Sequence, residues 1–134
     1  MKIVLDTNVL VSGLLNPHGA PGAIVRMVSS STLTLCYDAR ILTEYRGVLS
    51  RPKFQFNIQH IDIFLAQIQS TGHVISALPL SQILPGPDDE PFLAVAIAAP
   101  AEHLVTGNIK HFPESTRQNI SVVSPAEFLN LVSL

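Results

Sequence analysis

Cysteine is nearly absent from this chain. Cys36 stands alone, so no internal disulfide can form and a reducing compartment is the expected setting. Its surroundings, "LTLCY", suit a small buried hydrophobe better than a catalytic thiol. Basic residues are also scarce: Lys and Arg number 8 against 10 Asp and Glu, a net charge of −2. That balance argues against a surface that coats duplex DNA, because such binding needs many phosphate contacts. The longest apolar run, Phe92–Ala99, stops far short of the roughly 20 residues that cross a bilayer. Lys2 is followed by Asp6 before any long apolar stretch, so the opening does not read as a signal peptide. These shortages describe a soluble, cytoplasmic protein with no membrane partner.

What the chain does have is aliphatic side chains, regularly spread. A hydrophobic fraction of 47% over 134 residues is enough for one packed domain across 1–134. Short β-leaning runs at 2–5, 33–37, 73–76, 103–106 and 120–123 are continuous rather than alternating, as in a parallel sheet covered on both faces. Helical patterns fill the gaps at about 9–15, 22–30, 39–50, 58–71, 90–99 and 125–133. The alternation predicts a three-layer α/β sandwich around a central, mainly parallel twisted sheet, with right-handed crossovers. The stretch 77–91, with Pro79, Pro85, Gly86, Pro87 and Pro91, reads as a loop.

Charge is placed unevenly in this frame. Asp6 ends the first predicted strand, where a buried carboxylate requires a partner. Asp88, Asp89 and Glu90 crowd the start of an otherwise apolar helix; a cap uses one carboxylate, not three. Glu44 lies at the margin of the stripe formed by Ile41, Leu42, Tyr45, Val48 and Leu49. Two roles stay open for it: an ion pair with Arg40 one turn away, or a place in a site. Open parallel sheets bind ligands at the carboxyl ends of their strands, where strand order reverses. Asp6, Glu44 and Asp89 on three elements would repel one another there without a cation. Oxygen donors without Cys or a metal-ligand His spacing favour Mg²⁺ or Mn²⁺ over zinc. The histidines at 18, 60, 73, 103 and 111 show no such spacing, and His73 and His103 read as structural.

Taken together, these segments resemble the PIN-domain ribonucleases, in particular the VapC-like toxins of bacterial toxin–antitoxin systems. "VLDTNVLVSGLL" (4–15) is similar to the opening motif, with Asp6 at its first acidic position. "YDARILTEYRGVLSRPKF" (37–54) resembles the helix carrying the family's glutamate, here Glu44. "PGPDDEPFLAVAIAAPAEHLVTGNIKHF" (85–112) resembles the segment of the third acid, here Asp89 rather than Asp88. The family often has a fourth acid after "TG"; here that position is Asn108, a neutral carbonyl ligand, and the acidic position that sometimes follows is Lys110.

The resemblance implies a Mg²⁺- or Mn²⁺-dependent endoribonuclease acting on single-stranded RNA. Asp6, Glu44 and Asp89, joined by Asn108, would hold the metal directly or through water. Thr7, Asn8, Ser12, Asp88 and Thr106 would support those ligands, and Arg40, Arg46, Arg51 and Lys53 would contact RNA. A cognate antitoxin and a homodimer are likewise implied. The residues leave a second reading open: with Asn108 and Lys110 in acidic positions, the chain would be a catalytically weakened PIN domain that binds RNA or protein. A phosphoacceptor domain also puts an Asp at a strand end. It fits less well, since Asn8 stands where the haloacid-phosphatase motif needs a second Asp.

Overall fold

A computed structural model describes residues 1–133. The elements run β1 (Lys2–Leu5), α1 (Thr7–Leu15), α2 (Ala20–Ser29), β2 (Thr34–Tyr37), α3 (Ala39–Leu49), α4 (Ile58–Thr71), β3 (His73–Val74), α5 (Glu90–Ala98), β4 (His103–Val105), β5 (Ser121–Val123) and α6 (Pro125–Val132). Five strands form one sheet in the order β3-β2-β1-β4-β5, and every pairing is parallel. This is the α/β sandwich the alternation of runs predicts.

Differences from the expected boundaries are small and local. The third strand ends at Val74 instead of residue 76, although the Ile75 amide still donates to the Tyr37 carbonyl at 2.8 Å. Helix α1 begins at Thr7, two residues early, because Asp6 keeps extended backbone (φ −61°, ψ 142°) and the chain turns into helix at once. The proline-rich loop closes through a 3₁₀ turn at Pro87–Asp89 before α5 starts.

Strand β1 sits mid-sheet with Ile3, Val4 and Leu5 fully buried, so both of its faces are covered and no polar alternation is possible. Helix α5 packs on β1, β2 and β4, while α4 lies on β2 and α6 on β4. Fully burying one such Ile or Leu contributes roughly 1.5–3 kcal/mol, so the central strands carry much of the fold's stability. Cys36 is fully buried within this core. His103 opens β4 with Nδ1 2.9 Å from Ser121 Oγ and its ring edge-on to Phe128. No helix among the described residues is long and apolar enough to cross a membrane.

The sheet order places its reversal between β1 and β4. From β1 the chain steps outward to β2 and β3 on one side, and from β4 to β5 on the other. Leu5 pairs with Val105 at the carboxyl end of that seam, and the Asp6 amide donates to the Val105 carbonyl at 3.0 Å. A crevice of this kind is where open parallel sheets place their ligand sites.

Candidate functional site

Asp6 and Asp89 both stand at helix N-cap positions, of α1 and α5, yet neither side chain accepts a helix N–H. Three other helices, α3, α4 and α6, are capped by side chains. Asp38 accepts from Ile41, Asn57 from Gln59 and His60, and Ser124 forms a capping box with Glu127. Two carboxylates at cap positions are therefore directed elsewhere.

Asp6 is 4% exposed, and its Oδ2 accepts a 2.7 Å hydrogen bond from Thr106 Oγ1 at the end of β4. The same hydroxyl accepts from the Asn108 amide at 3.0 Å, which fixes its proton on Asp6. Thr7, next in the chain and equally buried, donates its hydroxyl to Glu44 Oε2 across the α1–α3 contact. Glu44 is half-buried. Arg40, its alternative partner, instead turns back on Asp38, with Nε and Nη2 at 2.9 and 2.8 Å from one carboxylate oxygen. Asp89 Oδ2 lies 3.1 Å from His111 Nδ1.

The electrostatics bind these groups together. Burial pushes the Glu44 carboxyl up from its usual range, the Thr7 hydroxyl draws it back, and the charges of Asp6, Asp88 and Asp89 push it up again. Asp89 is raised chiefly by burial and next by Asp6, against a lowering by His111. The Tyr45 phenol, fully buried beneath the site, is pushed well up by burial, with Asp6 and Glu44 adding to it. Neither Asp6 nor Glu44 has a basic side chain within ion-pair distance among the described residues. Among the same residues, no three His, Cys, Asp or Glu side chains are gathered closely enough to hold one ion between them.

Other positions singled out in the sequence lie differently. Asp88 is exposed but close enough for its charge to act on Glu44 and Asp89. Glu90 reaches away to the Leu80 amide. Asn8 and Ser12 are exposed on α1 and form no side-chain hydrogen bond among the described residues. Asn108 contributes its main chain, donating to Thr106 and accepting from the His111 amide at 2.9 Å. Arg46 pairs with Asp62 of α4 at 3.0 Å. Arg51 is exposed, and Lys53 Nζ lies 5.0 Å from the centre of the Phe54 ring.

Two residues escape sequence reasoning. In the segment after β4, the side chain that reaches the acids belongs to His111, not to Lys110. Tyr45 reads as one member of an apolar stripe, yet its hydroxyl donates to the Leu5 carbonyl immediately before Asp6. No spacing signal marks a lone histidine in a short turn; for Tyr45 the signal was a hydroxyl at a fully buried position, which must find an acceptor.

Three similarities to known proteins bear on this arrangement. A solved chain of VapBC2 from Rickettsia felis, a complex bound to a DNA fragment from its promoter, superposes with a TM-score of 0.56 at 18% identity. That match covers 92% of this chain and 98% of the other, and it is a likeness of fold. An uncharacterized protein of Methanocaldococcus jannaschii, MJ1680, is 29% identical over 111 residues, covering 81% of this chain and 71% of the relative. The sequence model of the PIN domain matches residues 2–110, a span that includes Asp6, Glu44, Asp89 and Asn108. With that match over most of its length, and a five-stranded parallel sheet whose reversal point carries the first acid, the chain belongs to the PIN domain family.

Proposed function

We propose that this PIN-domain protein is a Mg²⁺- or Mn²⁺-dependent endoribonuclease that cuts single-stranded RNA, the toxin of a toxin–antitoxin pair in the cytoplasm. One observation supports the reading: the charges of Asp6 and Asp89 reach Glu44 and that of Asp6 reaches Asp89, while among the described residues no basic side chain lies within ion-pair distance of Asp6 or Glu44. Glu44 and Asp89, raised first by burial and then by neighbouring carboxylates, are suited to an outside cation, and oxygen donors suit a hard one. With no three of them gathered tightly among the described residues, water would supply further ligands beside Asp6, Glu44, Asp89 and the side-chain carbonyl of Asn108.

When bound, such an ion polarises the scissile phosphate and lowers the pKa of a water. The chain's own groups orient the rest. Thr106 fixes the Asp6 carboxylate, leaving Oδ1 for the site. Thr7 occupies Glu44 Oε2, so Oε1 is left to accept a proton from the attacking water. Water adds to phosphorus, the bond to the 3′ oxygen breaks, and that oxygen takes a proton from solvent. The products carry a 5′-phosphate and a 3′-hydroxyl, and the 2′-hydroxyl takes no part. Of the four basic residues singled out in the sequence, Arg51 and Lys53 are the ones left to meet the RNA backbone, with Arg40 and Arg46 engaged by Asp38 and Asp62. An antitoxin and a second copy of the chain are the protein partners in this reading.

Cleavage of single-stranded RNA, with Mg²⁺ or Mn²⁺ and with EDTA, tests it in the wild type and Asp6→Asn. Cleavage that survives EDTA, or an undiminished Asp6→Asn protein, would sink the proposal. The loose spacing of the acids and the neutral Asn108 favour one alternative, a weakened PIN domain that only binds. Calorimetric titration with Mn²⁺ separates the two, since the weakened domain takes up little.

A further inference from the structure

Asp89 ends the 3₁₀ turn Pro87–Asp89 with helical backbone (φ −83°, ψ −15°), which runs straight into α5. A residue with that backbone is not set to cap the helix, and its carboxylate accepts no helix N–H. Its side chain, 16% exposed, has a different partner: Oδ2 lies 3.1 Å from His111 Nδ1.

The sequence builds that alternative on a firm base. After β4 the chain makes a 3₁₀ turn at Ile109–His111, closed by the His111 amide on the Asn108 carbonyl. Phe112 follows, fully buried, and its carbonyl accepts from Arg117 Nε at 2.7 Å. The imidazole is thus presented by an anchored turn, not by a free loop. From the other side Gly86 closes on the same carboxylate oxygen: a Cβ at that position would lie 2.7 Å from Asp89 Oδ2. One oxygen is seated between a ring N–H and a residue that has no side chain.

We propose that His111 is a positioning residue, which with Gly86 fixes where the Asp89 carboxylate stands relative to Asp6 and so presents it to a cation. The consequence for ion binding rests on the nuclease reading; the clamp itself does not. Nδ1 donates to Asp89 and so fixes the proton on that nitrogen, and the ring is half-exposed. An outer partner that orients a ligating carboxylate typically accounts for a ten- to hundredfold change in ion affinity.

The experiment compares His111→Ala, His111→Asn, His111→Gln and Gly86→Ala with wild type by Mn²⁺ calorimetry, with melting temperatures alongside. An asparagine amide sits where Nδ1 was; a glutamine amide sits where Nε2 was. Mn²⁺ affinity is expected to fall about tenfold in the alanine and glutamine variants of His111 and to return in His111→Asn. Gly86→Ala, whose new methyl displaces Oδ2, should fall with them. Wild-type affinity in His111→Ala, or rescue by Gln and not by Asn, overturns the proposal.

Metal-free protein supplies a readout that does not depend on the nuclease reading. The ¹⁵N signals of the His111 ring should show Nδ1 protonated and should move in Asp89→Ala; unmoved signals also overturn the clamp. A wild type that takes up no Mn²⁺ while these signals do move would sink the nuclease reading alone.

Discussion

Tyr45 donates its phenolic proton to the carbonyl of Leu5, and this bond joins the helix that carries Glu44 to the strand that ends at Asp6. The same ring lies 6.4 Å from Phe92, three residues past Asp89. One fully buried side chain therefore touches β1 and α5 and stands beside Glu44 on α3. Because burial holds the phenol well above its usual range, it stays a donor at every working pH.

Tyr45→Phe should cost about 1–3 kcal/mol, since the Leu5 carbonyl loses its partner in a dry interior. Urea unfolding should show a lower midpoint at unchanged slope. RNA cleavage should fall as well, because the spacing of Glu44 from Asp6 is no longer tied.

Thr106→Val removes a hydroxyl that serves two groups while keeping the side chain's shape. The Asn108 amide and Asp6 Oδ2 would each lose a partner. A loss of about 1–3 kcal/mol in stability is expected, with Mn²⁺ affinity down ten- to hundredfold by calorimetry. Thr106→Ser should keep most of both.

Glu44→Gln should raise the melting temperature of the metal-free protein at neutral pH. Glu44 titrates above its unfolded value of 4.5, so its share of stability is full below that value and is lost as pH rises through the folded one. Differential scanning between pH 4 and 8 should show the variant gaining on wild type as pH rises. Glutamine keeps the oxygen that Thr7 bonds, so the gain is isolated to the charge. A variant that melts lower at every pH would contradict this.

Mn²⁺ should raise the melting temperature of the wild type at pH 7, by an amount corresponding to about 2.7 kcal/mol at a hundredfold excess over Kd. Because Glu44 and Asp89 are both raised, the ion should compete with protons at a higher pH than ordinary carboxylates allow. Scans with Mn²⁺ or EDTA at pH 5 and pH 7 read this directly: the shift should be smaller at pH 5 than at pH 7.

The layout of the sheet was legible because each strand is a short continuous apolar run, and the runs alternate with helical stripes. Asp6 was visible as a charge where burial forbids one, and Glu44 as a carboxylate at the edge of a stripe. What stayed hidden depends on which of several nearby partners wins. Arg40 has Asp38 and Glu44 within reach of its helix, and only packing decides for Asp38. Asp89 meets His111 in the turn just before the buried Phe112, a pairing across more than twenty residues with no local signature. The closeness of Gly86 to Asp89 is likewise a property of the folded loop, written in the sequence only as one glycine among prolines.

The seam between β1 and β4 also sets when the site can exist. Leu5 pairs with Val105, and Asp6 waits for a hydroxyl at Thr106; the sheet contains only parallel pairings, so no local hairpin assembles any part of it early. Ribosomes extend a chain at about 5–20 residues per second, and folds built from such distant pairings close slowly. A nascent chain thus displays Asp6, Glu44 and Asp89 for seconds before the strand that aligns them has left the exit tunnel. β4 must be made before this protein has an arranged centre, so a chain broken off before β4 would carry the acids and none of their geometry.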